Sequence, residues 1–84
     1  MYEKLIKEYV LKLTEEDIEK FAKEKGINIS DEEIKIVFMY IKNYWKEFLN
    51  GNPNELFLEL KEKLSSEVYE EILNLYNKYK NKIK

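Results

Sequence analysis

Leu13-Thr14-Glu15-Glu16-Asp17-Ile18 is the stretch that decides the fold. Thr14 is a helix-capping residue, and a carboxylate follows it three places on, where it reaches back to the cap's own N–H in a capping box. Leu13 before the cap and Ile18 at the fourth helical position form the apolar pair of a hydrophobic staple. The same grammar recurs at Ile29-Ser30-Asp31-Glu32-Glu33-Ile34, with an Asn variant at Asn52-Pro53-Asn54-Glu55 and a staple at Leu64-Ser65-Ser66-Glu67-Val68-Tyr69. Each start opens onto apolar residues spaced three and four apart, which line one face of a helix. No period-two strand pattern competes with them.

Working outward, the first helix is predicted over about residues 2–12, with Tyr2, Leu5, Ile6, Tyr9, Val10 and Leu13 inward. The second covers about 15–25, turns Ile18, Phe21 and Ala22 inward, and ends at Gly26, the residue that takes a left-handed conformation without strain. Ile27 and Ile29 sit in the linker that follows. The third helix (about 31–49) carries Ile34, Val37, Phe38, Ile41, Tyr44, Trp45, Phe48 and Leu49 on its main face. It ends at Asn50-Gly51, and Pro53 suits the first position of the fourth helix, about 53–63. That helix shows Leu56, Phe57, Leu60 and Leu64 on one side. The fifth, about 66–82, shows Val68, Tyr69, Ile72, Leu73, Leu75, Tyr76, Tyr79 and Ile83. The expected fold is all-α: one domain, residues 1–84, a compact bundle of about five short amphipathic helices with the third central because it is apolar most of the way round. Seven Tyr, four Phe and one Trp supply much of the core volume in a chain this short.

Composition narrows the chemistry. The chain has no Cys and no His, which removes disulfides, thiolate ligands, the commonest general base and the commonest metal ligand. Ser30, Ser65, Ser66 and Thr14 stand at helix starts, where capping accounts for them. Glu15-Glu16-Asp17 and Asp31-Glu32-Glu33 fall in first helical turns, where the helix dipole favours acids. No catalytic residue, metal ligand or cofactor is expected, and no enzyme. There is no signal-peptide pattern, and the longest apolar run, Ile36 to Ile41, is far below the roughly 18 residues of a membrane span; a cytoplasmic location is expected.

Two binding surfaces remain as candidates. Leu11, Ile36, Met39, Tyr40 and Leu58 are apolar but lie off the expected core faces, and together they form a candidate patch for a partner protein or a second copy. The C-terminal run is basic: residues 74–84 hold Lys78, Lys80, Lys82 and Lys84 and no acid, while residues 14–33 hold eight acids against three Lys. Interleaved with Tyr76 and Tyr79, those lysines are the candidate contact in an alternative reading, weak nucleic-acid binding. Against it, every basic residue in the chain is Lys, and none is the Arg that suits bidentate phosphate and guanine contacts. A helix-turn-helix reading of Phe21 to Ile34 fails because its recognition helix would open with three acids.

Leu13-Thr14, Glu16-Asp17-Ile18, Phe21-Ala22-Lys23, Gly26-Ile27, Tyr40-Ile41-Lys42, Trp45, Phe48-Leu49, Leu56-Phe57 and the Leu-Ser-x-Glu-Val-Tyr of residues 64–69 resemble a family of short all-helical proteins, a domain of unknown function from low-GC Gram-positive bacteria. The resemblance implies a bacterial, cytoplasmic helical protein. It implies no activity, substrate or site. The functional expectation is therefore a non-enzymatic protein-interaction or accessory module.

Overall fold

The computed structural model describes the backbone of residues 2–83 and the side chains of residues 3–78. Its elements are five helices: α1 (Tyr2–Lys12), α2 (Glu15–Lys25), α3 (Asp31–Asn50), α4 (Asn54–Lys63) and α5 (Ser66–Ile83), with no strand among the described residues. The fold is all-α, and every predicted element lies within a residue or two of its observed place.

The helix ends are made as the sequence dictates. At α2, the Asp17 N–H donates to Thr14 Oγ1 (3.2 Å) and the Thr14 N–H donates to Asp17 Oδ2 (3.0 Å), a complete capping box. At α3 the same reciprocal pair joins Ser30 and Glu33, both bonds at 3.1 Å. Gly26, at φ 70° and ψ 29°, closes α2 in a Schellman arrangement: the Ile27 N–H reaches the Ala22 carbonyl (2.8 Å) and the Gly26 N–H reaches that of Lys23 (3.1 Å). The α4 start differs slightly from expectation. Asn52 Oδ1 accepts the Asn54 N–H (3.2 Å), while Pro53 falls just before the helix rather than at its first position. Ser65 Oγ accepts the Val68 N–H at the start of α5 (3.4 Å).

The chain forms two compact units, one ending at Trp45 and one beginning at Lys46. In the first, α1, α2 and the greater part of α3 bury Val10, Leu13, Ala22, Ile34, Val37 and Tyr40. Within it α3 is the most widely covered helix: Glu33, Ile36, Phe38, Ile41, Lys42 and Trp45 are half-buried around its fully buried residues. In the second unit α4 packs on α5, and the core is Leu56, Phe57, Leu60, Leu64 and Val68. Phe48, Phe57 and Tyr76 meet there edge to face, with ring centroids 5.0 to 6.4 Å apart.

Among the described side chains, three expected inward are exposed; those of Tyr2, Tyr79 and Ile83 lie outside the described residues. Leu5 and Tyr9 lie one residue around α1 from the Ile6, Val10 and Leu13 line that is covered. The apolar arc of α1 is therefore wider than the face its unit covers. Tyr44 leaves the core because α3 breaks there: its backbone is non-helical at φ −126° and ψ 17°, which shifts the phase of the face. Neither Pro nor Gly occurs in α3, so residue type does not impose the break.

Candidate functional site

The off-face residues differ in burial. Tyr40 is 5% exposed and belongs to the core of the first unit, its ring tilted against that of Tyr44 at 5.5 Å. Its place in the candidate patch is corrected: with 3.6 residues per turn, Tyr40 continues the line of Val37 along the buried side of α3. Ile36 is half-buried at the edge of that side. Leu11 (67% exposed) and Met39 (49%) remain on the surface of the first unit. Leu58, 63% exposed, is a surface residue of the second unit.

Leu11 and Met39 are related through a residue that the sequence did not single out. Lys42 Nζ donates to the Leu11 carbonyl (3.1 Å) and to that of Val10. These are carbonyls of the last turn of α1, which have no acceptor role inside the helix, and a cation is the favoured partner at that end. The ammonium also lies 5.3 Å from the Phe38 ring centroid. Met39 is one turn back from Lys42 on α3. Lys42 thus ties the helix that carries Met39 to the backbone of Leu11, and its charge is committed there. The signal for Lys42 in the sequence was slight, a lysine that with Asn43 interrupts the apolar stretch from Ile36 to Trp45.

Two first-turn carboxylates are held by the backbone. Asp17 and Glu33 accept the N–H groups of their own caps. Among the described residues no group of three or more acids is placed to hold a metal ion. Thr14, Ser30 and Ser65 hydroxyls each accept a backbone N–H, as capping requires. Of the C-terminal lysines, Lys78 is exposed on α5. The Lys80 and Lys82 side chains and Lys84 lie outside the described residues. No described helix is long and apolar enough to cross a membrane.

The second unit carries a cleft of about 400 Å³, wide open to solvent and lined by Gly51, Asn52, Pro53, Asn54, Phe57, Leu73, Tyr76 and Asn77. Phe57 and Tyr76 bring rings to it, three asparagines bring carboxamides, and none of the lining side chains is charged. Pockets that bind small molecules enclose most of their ligand; this one is too open for that.

No protein family, no curated protein and no solved structure matches this chain.

Proposed function

We propose that the chain is a small cytoplasmic, non-enzymatic module that contacts another protein through the surface of its first unit carrying Leu11 and Met39. The observation that supports this reading is that Leu11 and Met39 are large, apolar and exposed in the same unit, and that Lys42, one turn on from Met39, bonds the backbone carbonyl of Leu11. Covering such side chains is favourable at about 25 cal/mol per Å² of apolar area removed from water. Met is also the side chain that adapts most readily to a partner's contours. Nothing in this surface calls for a reacting group, and Lys42 is engaged in joining α3 to the end of α1.

A photo-crosslinking amino acid placed at position 39, with position 35 as the control, tests the reading in the source cell. Lys35 is exposed one turn back on the same helix. Position 39 is expected to give one dominant adduct of defined mass, lost when Leu11 is replaced by Glu. An adduct at the mass of two chains supports the self-associating form of the same reading. Diffuse labelling equal at positions 35 and 39 refutes it.

A further inference from the structure

Asn50-Gly51 joins α3 to the turn before α4, and both residues are exposed. It is the one place in the chain where Asn precedes Gly. The absence of a side chain on Gly51 lets its nitrogen approach the carboxamide of Asn50 more easily than at any other asparagine here. Asn52, two residues on, is followed by Pro53, whose nitrogen has no proton to lose. Asn28, Asn43, Asn54, Asn74, Asn77 and Asn81 are each followed by a larger residue.

The helix end at this point lacks the finish seen on α2. The last turn of α3 has no basic residue and contains Glu47, an acid at the end of the helix that disfavours one. Gly51 does not form the left-handed cap seen at Gly26, which is the one described residue with positive φ. What holds the Gly51 nitrogen is a single bond, its N–H donating to the Glu47 carbonyl at 3.0 Å. Phe48 in this turn stays packed on Phe57 and Tyr76, whereas Asn50 and Gly51 beyond it are exposed, and fraying confined to an exposed helix end costs little.

We propose that Asn50-Gly51 is a site of spontaneous covalent modification, gated by release of the Gly51 N–H from the Glu47 carbonyl. Once it is released, the Gly51 nitrogen attacks Asn50 Cγ. The new C–N bond closes a five-membered succinimide, the Cγ–Nδ2 bond breaks, and Nδ2 leaves as ammonia with the proton from the Gly51 N–H. Water then opens the ring. Attack at Cγ gives Asp, and attack at the backbone carbonyl gives isoaspartate, with the main chain one methylene longer between α3 and α4. No electrons change hands, and water is the only co-reactant. Either product puts a carboxylate beside a cleft whose lining has no charge, and at the helix end that already carries Glu47.

The test is peptide mapping by mass spectrometry of the full chain incubated at mildly alkaline pH, with the peptide Phe-Leu-Asn-Gly-Asn as reference and enzymatic methyl transfer to detect isoaspartate. Conversion at Asn50 is expected within about tenfold of the peptide rate, since a fraying helix end opens at little cost. It should outpace every other asparagine and yield isoaspartate together with Asp. Gly51→Ala should slow it at least several-fold; the atoms nearest a Cβ there belong to the Glu47 carboxylate, the far end of a flexible side chain that can move aside. Asn50→Gln, which needs a less favourable six-membered ring, should abolish it while leaving Gly51 in place. Conversion at Asn50 no faster than at the other asparagines, or giving Asp alone, overturns the proposal.

Discussion

Replacing Lys42 by Met removes an ammonium from the end of α1 while keeping most of the side-chain stem on α3. Hydrogen bonds to a charged group contribute about 1.5–3 kcal/mol when buried. Here the acceptors belong to an exposed helix end, where water takes over part of the work, so the lower part of that range applies. A cation near a helix C-terminus adds about 0.3–1 kcal/mol, and one over an exposed ring about 0.5 kcal/mol. Releasing the lysine returns up to about 1.5–2 kcal/mol of side-chain freedom, most of which the methionine gives up again in packing. The net loss should be about 1–2 kcal/mol. At about 4–8 °C per kcal/mol for a chain of this length, Tm should fall by about 5–15 °C. Circular dichroism melts measure it, and hydrogen exchange should show the loss of protection concentrated in the last turn of α1. Lys35→Met, on the same helix at an exposed position, should shift stability by no more than about 0.5 kcal/mol. If the two variants melt together, Lys42 does not hold α1 and the reasoning fails.

Gly26→Ala should cost about 1 kcal/mol although the space around it is empty, because the penalty comes from a left-handed backbone; Gly26→Asn should cost less, and urea titration of both checks the order. Phe57→Ala, which removes the ring shared by Phe48 and Tyr76, should cost about 3–5 kcal/mol and flatten the near-ultraviolet aromatic signal. Its exposed neighbour gives the contrast: Leu58→Ala should fall within about 0.5 kcal/mol of the parent chain.

The parts of the fold legible in the sequence are those made by residues a few places apart. Thr14 with Asp17, Ser30 with Glu33, and Gly26 after α2 all act within five residues, and each was readable because its chemistry is local. Burial is set at longer range, and there periodicity misleads. It turned Leu5 and Tyr9 inward because it marks which arc of a helix is apolar, not how much of that arc the neighbours cover. It carried one face straight through Tyr44, where the backbone changes course. It set Tyr40 outside, although that ring completes the core of the first unit. Lys42 was hidden for a different reason. Its partners are backbone carbonyls more than thirty residues earlier, and carbonyls leave no trace in residue type.

The two ends of α2 are finished by residues that the growing chain has already made or is about to make, whereas α1 waits for a side chain far downstream. During synthesis the second helix has what it needs to close as soon as Ile27 has appeared. The first has the Leu13 N–H on its Val10 carbonyl, but it gains its lysine only when residue 42 arrives and the intervening chain has closed on it. The order of the helices along the chain is then not the order in which they become complete.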